Sequence, residues 1–454
     1  MTYKSINPYT GKEEAIFDFI SDISLDEKLS LSEQKFREWS KAPVSQRAAI
    51  LNRVANLLEK DIDKHAACIT GEMGKPISQS RVEILKCAWV SRYYAENSET
   101  FLTPDPIESS AGESFLRFDP MGIIFAVMPW NFPYWQVFRF LAPNFMGGNT
   151  ELLKHASNVP RCARAMEELF LDAGSPEGVF QNLFITYEQV SHVIECDMVR
   201  GITLTGSNYA GNRVAKHAGS QGKKTVLELG GSDPYIVFAD ADLELAAETG
   251  IMARFQNNGQ SCIAAKRFIV EESAFETFVS LFKSKVEALK VGDPMDPDTI
   301  IGPLARKDLL LELEDQIRQI NDQGGRILTG GKRLKEGSLI LEPTIVMDLP
   351  IDAPVNEEEL FGPIIPVFPF RTEEQALEMA NHTRFGLGAS VWTGDRDRAD
   401  RMAQGIESGT VAVNGMVKSE PGLPFGGIKA SGYGRELSEI GMKEFLNVKT
   451  VNYY

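Results

Sequence analysis

The stretch Gly122-Ile123-Ile124-Phe125-Ala126-Val127-Met128 is a continuous apolar run with the length of a buried β-strand. Further strands are predicted at residues 150–154, 180–185 and 201–205, and each is followed by a segment long enough for a helix. Strands that alternate with helices in this way form a parallel sheet with helices on its faces. The sequence therefore predicts an α/β fold with a Rossmann-like nucleotide-binding domain.

The same alternation continues on the C-terminal side of this region. Strands are predicted at residues 225–228 and 234–238, and a second series of strands and helices runs from residue 267 to about residue 410. On the N-terminal side, apolar residues recur at helical spacing through residues 25–70 and 82–94, which predicts a helical layer. Apolar and polar residues roughly alternate in residues 107–118, which predicts a hairpin that projects from the body. The tail, residues 447–454, alternates in the same way, so we expect a terminal strand that pairs with an edge in another subunit.

Composition excludes several classes of function. The 454 residues carry 47 Lys and Arg against 63 Asp and Glu, a formal charge of −16, without a dense basic patch, so a nucleic-acid partner is not expected. No run reaches the length of a membrane span and no signal peptide opens the chain. Five scattered cysteines without a CxxC pair and five scattered histidines predict neither a disulfide framework nor a metal site. We therefore expect a cytoplasmic protein.

One cysteine lies in a setting that suits chemistry. The stretch Asn257-Asn258-Gly259-Gln260-Ser261-Cys262 lies between a predicted helix, residues 243–255, and a predicted strand, residues 267–270. A loop held by rigid elements exposes reactive side chains, and backbone N–H groups in a glycine-containing turn favour a thiolate. Cys262 is therefore a candidate nucleophile. The alternative is a buried cysteine that fills a small apolar space.

A candidate nucleotide site follows the predicted strand at residues 202–205. The stretch Gly206-Ser207-Asn208-Tyr209-Ala210-Gly211 lacks the usual GxGxxG pattern, but a strand, a glycine turn and a helix start still present N–H groups to a pyrophosphate. Turns of this kind also occur in proteins that bind no nucleotide. This motif alone therefore leaves both alternatives open.

Several further motifs occur in a fixed order along the chain. They are Pro129-Trp130-Asn131-Phe132-Pro133, Lys154 after two leucines, Glu228-Leu229-Gly230-Gly231, Gly259-Gln260-Ser261-Cys262, Glu359-Leu360-Phe361-Gly362-Pro363 and Pro424-Phe425-Gly426-Gly427. In this combination and order, the chain resembles the aldehyde dehydrogenase superfamily over nearly its whole length. The resemblance implies a dinucleotide-binding domain of residues 1–102 and 120–230 and an α/β catalytic domain of residues 231–434. It also implies a small β oligomerisation extension, residues 103–119 and 435–454, that joins subunits into a homodimer or homotetramer.

The resemblance also assigns catalytic roles. Cys262 matches the nucleophile, whose thiolate attacks the aldehyde carbon to give a thiohemiacetal and, after hydride transfer to nicotinamide, a thioester. Asn131 matches the oxyanion donor, acting with the Cys262 backbone N–H, and one such donor is worth about 3–4 kcal/mol. Glu228 matches the general base that activates water. The structural alternatives are a helix cap for Asn131 and a buried, partnered carboxylate for Glu228.

The stretch Lys154-His155-Ala156-Ser157 bears on the choice of cofactor. In the family this strand end approaches the adenosine ribose, and NAD-preferring members commonly carry a carboxylate three residues after the lysine. Because Ser157 takes that place here, Lys154 and Ser157 can hold a 2′-phosphate without repulsion, and we predict NADP as the preferred cofactor with NAD also usable. The alternative for Ser157 is a helix cap before Pro160. The resemblance places further residues at the cofactor: Trp130, Gly206, Ser207, Glu359 and Phe361.

The segment after Asn131 bears on the substrate. It predicts a helix on which Arg139 lies one turn after Trp135 on the same face, beside the aldehyde's entrance. An arginine there suits a carboxylate at the far end of a short substrate. In succinate semialdehyde dehydrogenases, an arginine at this offset and a serine before Pro-Phe-Gly-Gly are the carboxylate contacts, and Arg139 and Ser419 match them. The resemblance therefore implies oxidation of succinate semialdehyde to succinate, and an exposed helix charge is the alternative for Arg139.

Three rival functions stay open from the sequence. The first is oxidation of another semialdehyde, or of a broad range of aliphatic aldehydes, by the same machinery. The second is a catalytically idle structural protein on the same fold, against which the intact set of Cys262, Glu228 and Asn131 argues. The third is a thiol hydrolase that acts on esters without nucleotide, which would have no use for Lys154, Ser207 or Glu359.

Overall fold

The computed structural model describes residues 2–454. As far as residue 230, the elements in chain order are β1 (Tyr3–Ile6), β2 (Glu13–Phe17), α1 (Asp22–Trp39), α2 (Val44–Lys60), α3 (Ile62–Met73), α4 (Ile77–Phe101), β3 (Asp105–Pro106), β4 (Glu113–Pro120), β5 (Ile123–Met128), α5 (Trp135–Gly147), β6 (Thr150–His155), α6 (Pro160–Asp172), β7 (Phe180–Asn182), α7 (Tyr187–Glu195), β8 (Val199–Thr205), α8 (Asn208–Ser220) and β9 (Lys224–Glu228). The elements that follow are β10 (Asp233–Val237), α9 (Leu243–Phe255), β11 (Ala265–Glu271), α10 (Glu272–Glu287), α11 (Lys307–Asp322), β12 (Arg326–Thr329), β13 (Thr344–Met347), β14 (Ile364–Phe370), α12 (Glu373–Asn381), β15 (Gly388–Trp392), α13 (Arg396–Gly405), β16 (Thr410–Val413), β17 (Gly432–Tyr433), α14 (Ser438–Lys443) and β18 (Leu446–Tyr453). Within the described chain, no helix has both the length and the apolar character needed to cross a bilayer.

The first sheet has six strands in the order β17-β9-β8-β5-β6-β7. All neighbours are parallel except β17 and β9. The chain passes from β5 outward through β6 and β7 on one side, and then through β8 and β9 on the other. Ligands of such sheets bind where the strand order reverses, outside the carboxyl ends of the strands. These ends lead to Asn131 after β5, Lys154 on β6, Ser207 after β8 and Glu228 on β9.

The second sheet has seven strands in the order β12-β13-β14-β11-β10-β15-β16. Its pairs are parallel except for β12 with β13. Every position of the central strand β10 is buried, as expected for a strand covered on both faces. The two parallel sheets confirm the predicted α/β class. The Cys262 loop joins α9 to β11, so this sheet carries the cysteine toward the first sheet.

The helical layer fixes α4 against α5. Both helices contribute to one apolar core with α2, in which Leu51, Val54, Ile84 and Phe138 are fully buried. Each such side chain contributes roughly 1.5–3 kcal/mol of burial free energy. This packing holds the polar residues that α4 and α5 present to the site in a constant relation.

The C-terminal strand has one partner within its own chain. Over eight residues β18 pairs antiparallel with β4 of the same chain, from Leu446 opposite Pro120 to Tyr453 opposite Glu113, in a three-stranded sheet with the order β18-β4-β3. Strand β4 of the same chain therefore occupies one edge of β18.

The segment just before the tail strand packs with the first sheet. Leu437, Met442 and Phe445 are buried in the core that contains α4 and α5, and β17 extends the first sheet beside β9. These apolar side chains place residues 435–445 in the first core, and the extended tail begins at Leu446.

Two features were missed in the sequence. The first is the N-terminal hairpin β1–β2, whose Tyr3 hydroxyl donates to the Ile185 carbonyl oxygen at 3.1 Å. The second is a group of potential metal ligands, Cys68, Glu72 and Cys162, with donor atoms within 4.8 Å of one another. The Glu72 carboxylate accepts the N–H of Cys162 at 3.0 Å, which caps the start of α6, so this group already has a structural use.

Candidate active site

The Cys262 loop is held in a strained backbone conformation. Asn257, Asn258 and Gly259 have φ values of 58°, 59° and 75°. A left-handed backbone conformation is unfavourable for residues other than glycine, and consecutive residues keep it only where surrounding contacts hold them. Here Asn257 Nδ2 donates to the Asn131 carbonyl oxygen at 2.6 Å, and Asn258 Nδ2 donates to two carbonyl oxygens of neighbouring loops at 2.9 and 3.1 Å. These bonds fix the loop that carries Cys262.

Asn131 lies against this loop. Its side chain is buried, and Nδ2 donates to the Gln260 carbonyl oxygen at 3.1 Å. The cap alternative for Asn131 is wrong, because α5 begins at Trp135 and the Glu83 carboxylate accepts the N–H groups of Tyr134 and Trp135 at 2.9 and 3.0 Å instead. The amide of Asn131 has two N–H groups, so one remains to donate to an oxyanion.

Glu228 ends β9 inside the protein. Its side chain is 2% exposed, and neither carboxylate oxygen has a hydrogen-bond partner in residues 2–454. Burial, and then the charge of Glu436, raises the pKa of Glu228 well above its ordinary range, while Arg139 and Arg435 oppose this shift. A Cβ atom at Gly426 would lie 2.7 Å from Glu228 Oε1, so the Pro-Phe-Gly-Gly loop leaves the space for the carboxylate. An isolated buried carboxylate is typical of a functional group, and one with a raised pKa can accept a proton from water.

The Cys262 side chain is partly exposed. Burial raises the pKa of its thiol to about 12, the charges of Arg139 and Lys266 lower it, and those of Glu359 and Glu228 raise it further. The group is therefore a thiol at neutral pH, and its activation needs a base or a change in local charge.

Lys266 connects three of the motifs. Its buried Nζ donates to the carbonyl oxygens of Ser261 at 2.8 Å and Cys262 at 2.7 Å, and pairs with Glu359 Oε1 at 3.1 Å. Glu359 Oε1 in turn accepts the N–H of Gly231 at 3.1 Å. The structure thus brings the Cys262 loop, the Glu359 loop and the Gly230-Gly231 turn together. Sequence reasoning missed Lys266, although its position four residues after Cys262, at the start of a strand, was a usable signal.

Lys154 and Ser157 lie at the carboxyl end of β6. Lys154 is 7% exposed, its Nζ lies 5.1 Å from the centroid of the Tyr187 ring, and burial lowers its pKa to about 8. Across residues 2–454 it forms no ion pair. Ser157 is exposed, and Val159 occupies the N-cap of α6, so the helix-cap alternative for Ser157 is wrong. A buried cation without a counter-ion beside an exposed hydroxyl fits a 2′-phosphate.

The other predicted cofactor residues lie after β8, after β5 and before β14. Ser207 is the N-cap of α8, and its Oγ accepts the Ala210 N–H at 3.3 Å. The nearest atom to a Cβ built at Gly206 is 3.8 Å away, so the turn is open to a close approach. This helix start fits a pyrophosphate. Trp130 and Phe361 pack edge to face, with ring centroids 5.8 Å apart.

Of the predicted substrate residues, Trp135 on α5 contacts Ser419 in the loop after β16, whereas Arg139 pairs with a different segment. Trp135 Nε1 donates to Ser419 Oγ at 2.9 Å, and Lys86 Nζ donates to the same oxygen at 3.0 Å. Arg139 is 1% exposed, so the exposed-charge alternative is wrong, and its Nε lies 2.7 Å from Glu436 Oε2. Lys86 and Glu436 were missed, because each reaches the site from a segment distant in sequence and neither belongs to a motif.

Comparison with known proteins agrees with this arrangement. The model of the aldehyde dehydrogenase family matches residues 1–451. A probable succinate-semialdehyde dehydrogenase, NADP(+), from Synechocystis is 47% identical over 451 residues, which cover 99% of each chain. A succinate-semialdehyde dehydrogenase, NADP(+), from Mycobacterium tuberculosis is 45% identical over 454 residues, again 99% of each chain. The crystal structure of succinic semialdehyde dehydrogenase from Streptococcus pyogenes in complex with NADP+ aligns with a TM-score of 0.97 at 40% identity and covers 99% of both chains. The chain therefore belongs to the aldehyde dehydrogenase family.

Proposed function

We propose that this chain oxidises succinate semialdehyde to succinate with NADP as its preferred cofactor. The observation that carries the substrate is the contact of Ser419 with Trp135, one helical turn from Arg139 on the helix that follows Asn131. Arg139 and Ser419 are the two positions that match the carboxylate contacts of succinate semialdehyde dehydrogenases. Relatives with 45–47% identity over 99% of the chain carry that name.

In this proposal Cys262 is the nucleophile. Its sulfur releases a proton to solvent and bonds to the aldehyde carbon, and the resulting alkoxide accepts hydrogen bonds from Asn131 Nδ2 and the Cys262 backbone N–H. The bonds of Asn257 and Asn258 hold the loop before the substrate arrives, so little rearrangement is needed at the reacting atoms.

When bound, the oxidised nicotinamide accepts the hydride that leaves the aldehyde carbon. Lys154 and Ser157 would hold the 2′-phosphate, and the N-terminus of α8 would hold the pyrophosphate. The other residues proposed to border the cofactor are Trp130, Gly206, Ser207, Glu359 and Phe361. Lys266 would act indirectly, because it holds both the Cys262 carbonyl and Glu359 in place.

Glu228 would complete the reaction. It accepts a proton from a water molecule as the water oxygen bonds to the thioester carbon. The carbon–sulfur bond then breaks to release the acid, and Glu228 returns the proton to the Cys262 sulfur. The absence of any hydrogen-bond partner for Glu228 in residues 2–454 supports this role, because both oxygens are available.

We further infer a homodimer or a dimer of dimers in the cytoplasm. The outer edge of β18 supports assembly, since Val448 and Tyr453 on this strand are more than half exposed. The five free cysteines suit a reducing compartment. In this assignment, residues 1–102 with 120–230 bind the dinucleotide and residues 231–434 carry the catalytic cysteine. Residues 103–119 and, within the predicted extension 435–454, the strand β18 join subunits.

The test is steady-state reduction of nucleotide by the full-length enzyme with succinate semialdehyde and with butanal, an uncharged aldehyde of the same length. Each aldehyde is measured with NADP+ and with NAD+. We expect kcat/KM for succinate semialdehyde with NADP+ to exceed the other three values by at least about tenfold. Equal values for the two aldehydes would contradict the substrate, and a preference for NAD+ would contradict the roles of Lys154 and Ser157. No reduction with any aldehyde would contradict the enzymatic function.

A further inference from the structure

The Ser419 hydroxyl is set up as a donor. A serine hydroxyl has two lone pairs and one proton. Lys86 Nζ and Trp135 Nε1 both donate to Ser419 Oγ, at 3.0 and 2.9 Å, so both lone pairs are used. The side chain is 3% exposed, and no residue between 2 and 454 accepts its proton. The remaining O–H group therefore suits an acceptor supplied by a ligand.

Arg139 is already neutralised. Its Nε lies 2.7 Å from Glu436 Oε2, both side chains are almost fully buried, and the guanidinium carbon lies 4.5 Å from the centroid of the Phe425 ring. Its Nη2 has no hydrogen-bond partner among residues 2–454, so a substrate carboxylate could bond to it, but that carboxylate would share the guanidinium charge with Glu436. Taken alone, this pair offers an incoming anion little net attraction.

Lys86 differs from Arg139 in this respect. It makes no ion pair with any part of the chain from residue 2 to residue 454. Its Nζ lies 4.1 Å from the centroid of the Trp135 ring and donates a hydrogen bond to the neutral Ser419 hydroxyl. Burial, and then the charge of Arg139, lowers the pKa of Lys86 to about 8.

The charged and titratable groups that act on Lys86 come from three elements. They are Arg139 on α5, Cys87 and Glu83 on its own helix α4, and Glu420 in the loop after β16. The Glu83 carboxylate has other partners, because it pairs with the buried Lys75 and accepts the N–H groups at the start of α5. A ligand carboxylate beside Lys86 and Ser419 would therefore supply a counter-ion that the protein lacks at this point.

We propose that Lys86 is a specificity-determining residue of the substrate site, whose Nζ pairs with the terminal carboxylate of the aldehyde while the Ser419 hydroxyl donates to the same group. Arg139, held by Glu436, closes the other side of this carboxylate site. The inference rests on the proposed function and deepens it, because it names the cation that distinguishes an anionic aldehyde from a neutral one.

The experiment compares Lys86→Gln with the wild-type enzyme on succinate semialdehyde and on butanal, each with NADP+. A hydrogen bond to a charged partner contributes enough to change an equilibrium about 10- to 100-fold. We expect the ratio of the two kcat/KM values to fall by that factor, chiefly through KM for succinate semialdehyde. Lys86→Arg, which keeps the charge, should retain most of the wild-type ratio of the two kcat/KM values. Lys64→Gln on α3 removes the same charge from an exposed position without hydrogen-bond partners, and it should leave both substrates unaffected.

The outcomes separate the two proposals. A wild-type enzyme that does not prefer succinate semialdehyde overturns the proposed function. A wild-type preference that survives Lys86→Gln unchanged, or a loss that is equal for both aldehydes, overturns only the role of Lys86.

A second measurement does not need Lys86→Gln, in case that variant does not fold. The ratio of the two kcat/KM values reports ionisation of the free enzyme and cancels groups that affect both aldehydes equally. It should fall as the pH rises from about 7 to about 9.5, because Lys86 loses its charge in that range. In Lys86→Arg the ratio should stay constant, and a ratio that is also constant in the wild type would overturn the proposal.

Discussion

Arg139 and Glu436 form an ion pair inside the protein, with Arg139 Nε 2.7 Å from Glu436 Oε2 and side-chain exposures of 2% and 4%. The pair joins α5 to the segment just before α14. Both charges act on the site, since Glu436 raises the pKa of Glu228 and Arg139 lowers the pKa of the Cys262 thiol. This contact therefore links the stability of the C-terminal segment to the charge balance around the cysteine.

Replacement of Glu436 by alanine should be strongly destabilising. It leaves the Arg139 charge buried without a counter-ion, which lowers the free energy of unfolding by about 3–5 kcal/mol. Urea unfolding should show a lower midpoint with an unchanged slope. Replacement of both residues by methionine removes the two charges together and should recover most of the loss. A single variant as stable as the wild type would show that the pair has no energetic role.

Glu228→Gln should make the protein more stable and less active. Because the pKa of Glu228 is raised in the folded state, the wild-type protein loses stability as pH rises above the ordinary glutamate pKa of about 4.3. The amide carries no charge, so the variant should be more stable than the wild type at neutral pH, and the difference should vanish at about pH 4. Unfolding measured across this range tests the sign. A variant less stable than the wild type at neutral pH would contradict it.

The same variant should be nearly inactive as a dehydrogenase. Loss of a general base lowers turnover by about 10²- to 10⁴-fold. Because the base works only when deprotonated, the raised pKa also places the acid limb of the wild-type pH profile above that of an ordinary glutamate. Rapid quenching followed by mass spectrometry should find the acyl group still attached to Cys262 in Glu228→Gln.

Cys262→Ala should abolish aldehyde oxidation. Without the sulfur no covalent adduct forms, and aldehyde-dependent nucleotide reduction should fall below about one thousandth of the wild-type rate. The variant should still bind NADP+, which can be measured by the quenching of tryptophan fluorescence. Cys196→Ala is the matched control, because Cys196 is a free, partly exposed cysteine at the end of α7, away from these motifs. Normal activity in Cys262→Ala would refute the covalent mechanism.

Ser157→Glu should reverse the cofactor preference. A carboxylate there repels a 2′-phosphate and can accept bonds from a 2′-hydroxyl, so the ratio of kcat/KM for NADP+ to that for NAD+ should fall by at least about tenfold. Ser157 is exposed, so the change should leave the thermal midpoint unaltered. Ser157→Ala removes the hydroxyl without adding charge and should keep NADP+ as the better cofactor. An unchanged ratio in Ser157→Glu would mean that this position does not face the ribose.

Much of the site followed from local sequence. The run that became β5 is apolar because both faces of an interior parallel strand are buried, and this property is visible in a few consecutive residues. Cys262, Glu228 and Asn131 each lie in a short motif, so their order along the chain was enough to suggest the family. Ser419 and Arg139 were named by their distance from those motifs.

What the tertiary structure decided was which charges meet. Lys86 and Ser419 are 333 residues apart, and Trp135 and Ser419 are 284 apart, yet all three share one hydrogen-bonded group. The pairing of Arg139 with Glu436, the two carbonyl groups held by Lys266 and the pairing of β18 with β4 of its own chain have the same origin. Secondary structure and motifs depend on neighbours along the chain, and a single sequence displays them. The partner of a buried charge depends on the packing of distant helices and strands, and only the folded chain determines it.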